Sequence, residues 1–90
     1  MNEVFEALAH PVRREILKLL RKRPMSAGEL AEHFTIAKPT LSGHFTVLKS
    51  ADLVSTERQG TTIIYQLNMS VMEEALAAFM QLAGTKGKER

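Results

Sequence analysis

The densest chemistry in the chain lies in the stretch AKPTLSGHFTVLKSADLV, residues 37–54. Lys38, Thr40, Ser42, His44 and Thr46 crowd the first turns of a helical pattern. A helix built only for packing has no use for so many small hydrogen-bonding groups. Ser and Thr hydroxyls suit a base edge or a phosphate, and a Thr methyl can meet the methyl of thymine. Lys38 can reach a guanine edge or a phosphate, and Pro39 pre-sets a helix start whose free N–H groups favour an anion. The chemistry these types support is non-covalent reading of a nucleic acid. Catalysis finds little support. There is no phosphate loop, no cysteine nucleophile and no pair of carboxylates in a plausible cleft. Ser42 and His44 stand two apart on a helix and so point in different directions, which denies them a nucleophile–base partnership.

The elements that would present this segment can be read from spacing. NEVFEALA puts Val4, Phe5 and Leu8 on one face of a short helix. HPVRREILKLLRKR is a second helix with Pro11 at its first position. Its apolar stripe is Val12, Ile16, Leu19 and Leu20, with Arg14, Lys18 and Arg21 opposite. Pro24 stops it. Ser26, with Glu29 three residues later, forms a capping box that starts a third helix over 26–34. After the short link TIA, a fourth helix covers 38–50. Its Leu41, Phe45 and Leu48 recur at spacings of four and three and face inward, while Pro39, Gly43, Thr46 and Ser50 face out. The period then changes. Thr61 to Tyr65 are strand formers, and Gly60 in RQGT is free to take positive φ, so a β-hairpin follows. A last helix is expected with Ser70 as cap, Glu73 completing a second box and Gly84 as its end. Met72, Ala75, Leu76, Phe79, Met80 and Ala83 form its wide apolar band.

Four helices, a hairpin and a helix describe a mainly α, α+β winged helix-turn-helix over residues 1–84, with a disordered basic tail at 85–90. In that fold the third helix crosses the DNA backbone and the N-terminal half of the fourth enters the major groove. The expected DNA-contacting residues are Lys38, Pro39, Thr40, Ser42, Gly43, His44, Thr46 and Lys49. Arg58, Gln59 and Thr61 at the hairpin tip join them, reaching backbone or minor groove. His44 flanks the groove side and has a structural reading as well.

Composition sets outer bounds. The chain has 90 residues, a net charge of +2, 44% hydrophobic residues and no cysteine. That excludes disulfides and thiolate metal sites. RREILKLLRKR is locally basic, which suits a polyanion or a solvated face. No cofactor or metal is expected. Glu73 and Glu74 alone fall short of the roughly four ligands zinc takes, and His10, His33 and His44 form no pair four residues apart. No membrane span or signal peptide is visible, so the expected location is the cytoplasm. One 90-residue domain buries only about 60–70% of its unfolded surface, so self-association is expected.

The sequence resembles the ArsR/SmtB family of bacterial winged-helix repressors. ALAHPVRREILKLL is similar to that family's second-helix signature. SAGELAEHFTIAKPTLSGHFTVLKSADLV is similar to its helix-turn-helix, with Ser42, His44 and the closing LKSADLV, and RQGTTIIYQLN to its wing. The likeness covers about residues 2 to 83 and is nearest to the SdpR-type autorepressor branch, which lacks metal-sensing residues. It implies a homodimeric repressor on an inverted-repeat operator, controlling its own operon. Dimerisation would use the first and last helices, through Val4, Phe5, Leu8, Met72, Leu76, Phe79, Met80 and Ala83. Relief of repression, by a partner protein or a small ligand, stays open. Three departures stand out: Gly43 where a basic or long polar residue is usual, Phe45 for Leu, and Asp52 for Gly. The alternatives are a winged-helix protein-interaction module without DNA, and a metal-responsive repressor with a non-standard site.

Overall fold

The computed structural model describes residues 1–84, so the expected disordered tail at 85–90 falls outside the described residues. Its elements are α1 (Asn2–Leu8), α2 (Pro11–Lys22), β1 (Met25–Ser26), α3 (Ala27–Ala31), α4 (Lys38–Ser50), β2 (Val54–Gln59), β3 (Thr62–Leu67) and α5 (Met69–Ala83). Helices therefore dominate, and a small antiparallel hairpin accompanies them.

Each start has a local cause. Pro11 opens α2, and His10 caps it by accepting the Val12 N–H on Nδ1 at 3.1 Å. The capping box of α3 is present. The Glu29 N–H donates to Ser26 Oγ at 3.1 Å, and the Ser26 N–H donates to the Glu29 carboxylate at 2.9 Å. That backbone bond, aided by Arg23, holds the Glu29 carboxyl below its usual pKa. The helix is shorter than its sequence pattern. It ends at Ala31, because Glu32, His33 and Phe34 bond back at three-residue spacing and tighten into a turn. The box expected at Ser70 and Glu73 does not form. Helix α5 begins at Met69 with Asn68 at the cap position and no side-chain cap bond. The Asn68 N–H instead donates to the Leu53 carbonyl at 2.9 Å, which turns the chain into the helix two residues early.

The sheet order is β1-β3-β2, antiparallel throughout. Strand β1 was not expected. It is two residues long and pairs Met25 with Tyr65 and Ser26 with Ile64, tying the start of α3 to the hairpin. In the hairpin Gln59 pairs with Thr62, leaving Gly60 and Thr61 as the turn. Gly60 has φ +65°, as a glycine at the first central position of a type II′ turn does.

The core gathers behind α4. Ile16, Leu17, Leu19 and Leu20 of α2 meet Leu30, Leu41, Phe45, Leu48, Leu53 and Val54. Each such side chain contributes on the order of 1.5–3 kcal/mol by leaving water. Val4 and Ala7 of α1 and Ala75 of α5 are buried with them. Helix α4 ends in a Schellman motif. The Leu53 N–H reaches the Leu48 carbonyl at 3.1 Å and the Asp52 N–H that of Lys49 at 2.9 Å, with Asp52 at φ +60°.

Candidate nucleic-acid interface

Helix α4 has two unlike faces. Leu41, Phe45 and Leu48 are 2%, 6% and 0% exposed and lock its back to the core. The Phe45 ring lies 4.9 Å from that of Tyr65 on β3, so helix and wing share one anchor. Burial also pushes the Tyr65 hydroxyl above its usual pKa. Lys38, Pro39, Thr40, Ser42, Gly43, Thr46, Lys49 and Ser50 are exposed. They form a continuous polar ridge with no charge of negative sign.

The ridge is shaped for close approach. Ala37 occupies the N-cap of α4 without a side-chain bond, leaving the Lys38 and Thr40 N–H groups to solvent or a ligand. A Cβ added at Gly43 would meet nothing within 4 Å, so the backbone there is open at the middle of the ridge. Thr46 Oγ1 donates to the Ser42 carbonyl at 3.1 Å. Its hydroxyl is thus engaged by its own helix. Val47, the one large apolar residue on the outer flank, is half-buried. At the wing Arg58, Gln59, Gly60 and Thr61 are all exposed, and nearby Glu57 is bonded to Gln66 Nε2 at 3.4 Å.

His44 behaves differently from its neighbours. It is half-buried, and its ring lies 4.4 Å from the ring of His10. Its Nδ1 is 3.2 Å from Arg13 Nη1. A guanidinium can only donate, so Nδ1 accepts and the ring proton belongs on Nε2. Burial first, then the charges of His10 and Arg13, hold His44 below its ordinary pKa. The structure therefore sets His44 against the start of α2, apart from the exposed ridge.

Arg13 is the bridging residue that sequence spacing did not single out. Its Nε donates to the Ala7 carbonyl at 2.9 Å and its Nη2 to the Glu6 carbonyl at 3.2 Å. With the His44 contact it joins the end of α1, the start of α2 and the middle of α4. A signal was available: Arg13 stands three residues before Ile16 and four before Leu17, on their face of the helix. The expected dimer residues fall into three burial classes. Val4 is buried within the chain. Leu76, Phe79 and Met80 are 59%, 63% and 40% exposed. Phe5, Leu8 and Met72 are half-buried, and Ala83 is exposed.

A helix-turn-helix domain family model matches residues 8–57, which include α2, α3, α4 and the start of the wing. Over 76 residues the chain is 46% identical to the transcriptional repressor SdpR of Bacillus subtilis, covering 84% of each chain. It belongs to the ArsR/SmtB family. Among solved structures, an ArsR family transcriptional regulator superposes with a TM-score of 0.77 at 30% identity, over 94% of this chain and 97% of that one. NolR from Sinorhizobium fredii does so at 0.72 and 35%, over 94% and 85%. The relatives of this ArsR/SmtB protein named above are transcriptional regulators. Among the described residues, no three His, Cys, Asp or Glu side chains gather closely enough to hold a metal ion. No helix among them is long and apolar enough to cross a membrane.

Proposed function

We propose that the protein represses transcription as a homodimer, each protomer setting the exposed ridge of α4 into the major groove of one half of an inverted-repeat operator. The observation that carries this is the two-faced α4: a polar, acid-free outer row on a helix fixed from behind by Leu41, Phe45 and Leu48. Thr40 and Ser42 read base edges. Thr46 offers its methyl group, and Lys38, Lys49 and the uncapped helix start neutralise phosphates. Arg58, Gln59 and Thr61 hold flanking backbone. Family membership and likeness to the transcriptional repressor SdpR support DNA-binding repression, with the protein's own promoter as the first target to test. That work belongs in the cytoplasm.

The second copy is argued from α1 and α5. Between them runs an open apolar trough of about 340 Å³, lined by Phe5, Leu8, Met72, Leu76 and Phe79 among others. A hydrophobic trough on a chain this small is best covered by itself, and two-fold pairing suits half-sites one helical turn, about 34 Å, apart. Exposed apolar groups cluster at this trough and along α5, away from the α4 ridge, which speaks against a protein-docking role for α4.

The test is a gel-shift on DNA upstream of the gene. Parent protein should give a discrete complex that Ser42→Ala and Thr40→Ala each weaken by about 1–3 kcal/mol on the operator, but not on unrelated DNA. Variants that bind the operator like the parent would remove the base-reading role. Phe79→Glu should sediment as a monomer and lose the complex.

A further inference from the structure

A second groove adjoins that trough, sharing Leu8, Met69 and Met72 with it, and runs between α2, the end of β3 and the start of α5. It has a volume of about 420 Å³, and Leu17, Leu67 and Met72 form part of its apolar floor. Arg14, Lys18 and Arg21 line its edge. These three stand four and three residues apart on one face of α2, so their charges rise in a row along one side of the groove. No acidic residue is among those lining it. Lys18 has only a loose, exposed contact with Glu15 at 3.9 Å. Arg14 is fixed at the edge by donating Nη1 to the Leu8 carbonyl at 2.8 Å. Arg21 has no ion-pair or hydrogen-bond partner among the described residues.

The charge pattern selects the occupant. A wholly apolar ligand would make no use of the cations along its edge, Arg21 above all, and a simple anion would leave the floor uncovered. The volume falls within the range of about 300–1,000 Å³ usual for small-molecule sites. We propose that this groove binds a single-chain anionic amphiphile of the fatty-carboxylate class. Its alkyl chain lies on Leu17, Leu67 and Met72, and its carboxylate meets Lys18 and Arg21, with Arg14 beside them. Carboxylate–guanidinium and carboxylate–ammonium contacts are charge-assisted and gain strength beside an apolar wall. The site uses neither the α4 ridge nor the wing, but it shares Leu8, Met69 and Met72 with the trough proposed for the second copy.

Dodecanoate, kept below its micellar concentration, is the probe, and the full-length protein in its solution oligomeric state is the receptor. Titration followed by isotope-edited NMR should saturate, with shifts centred on Leu17, Leu67 and Met72. Dodecyltrimethylammonium, with the same tail and opposite charge, should not compete, and acetate should not bind. The double variant Lys18→Glu with Arg21→Glu changes only exposed side chains. It should keep the parent's circular dichroism and weaken dodecanoate binding on the order of tenfold or more. Equal binding of the cationic tail would overturn the proposal. So would unchanged affinity of the double variant, or shifts confined to Phe5, Leu76 and Phe79. A double variant that sediments as a monomer would assign the groove to a second copy. One whose operator affinity shows a log–log salt slope shallower by about two phosphates would assign these cations to DNA. Either result overturns it.

Discussion

Asp52 is the residue to perturb first. It holds φ +60° at the end of α4, where the Leu53 N–H bonds back to Leu48. Leu48 and Leu53 are both 0% exposed, so packing fixes the turn whatever residue stands at 52. The left-handed conformation costs an L-residue about 1–2 kcal/mol, at the low end for Asp, whose short side chain tolerates it. A carboxylate beside the negative end of a helix adds about 0.3–1 kcal/mol. Glycine removes both penalties and gives back about 0.5–1 kcal/mol through the freedom it adds to the unfolded chain. Asp52→Gly should therefore stabilise the protein by roughly 0.5–1 kcal/mol. Asp52→Asn keeps the conformational tolerance and drops the charge, so it should recover part of that gain. Asp52→Ala drops the charge but keeps the strain, and should melt below Asp52→Gly by about 4–8 °C, the shift expected per kcal/mol for a domain this small. Thermal melts of all four proteins at one protomer concentration decide the matter, since self-association makes the midpoint concentration-dependent. If alanine melts at or above glycine, the turn is not strained and the reasoning fails.

Gly43→Ala should raise stability by about 0.5–1 kcal/mol, because an exposed mid-helix glycine is unfavourable and its missing Cβ faces open space. The same change should lower operator affinity by holding the backbone off the DNA; unchanged affinity in an anisotropy titration would show that no close approach occurs. Arg58→Ala should make the log–log salt dependence of binding shallower by about 0.9 while leaving base discrimination intact, read from titrations on operator and scrambled DNA. For His44 the folded-state pKa is depressed from 6.5. Above that value the ring is neutral folded and unfolded; as pH falls below it the unfolded chain takes the proton first. The parent should lose stability as pH drops from about 6.5 until the folded ring also protonates, and denaturant midpoints of His44→Gln should fall less over that window.

Much of the architecture was legible because its local signals agreed with its packing. The bounds of α4 followed from Pro39 and from the recurrence of Leu41, Phe45 and Leu48, and the hairpin from Gly60 between strand formers. The misreadings lie where a local pattern had a tertiary competitor. The third helix, expected to run to residue 34, leaves helical geometry at Ala31 and folds Phe34 in from the following turn. Ser70 and Glu73 have capping-box spacing, but Asn68, held by the Leu53 carbonyl, starts α5 before they can form one. Strand β1 is too short to show any periodicity and exists only because β3 lies beside it. In the candidate interface, the exposure of Pro39, Gly43, Thr46 and Ser50 was readable from period alone. The inward turn of His44 was not, since it depends on partners at His10 and Arg13, thirty-odd positions away in the chain.

The Arg13 guanidinium bears on more than local order. It grips two carbonyls at the end of α1 and the imidazole of the reading helix, with no flexible loop between. In the proposed dimer α1 also walls the seam between protomers. The pitch at which each reading helix meets its groove is thereby geared to how the two copies sit on one another. In that dimer, a shift of the seam would be carried through Arg13 to the angle at which each α4 is presented.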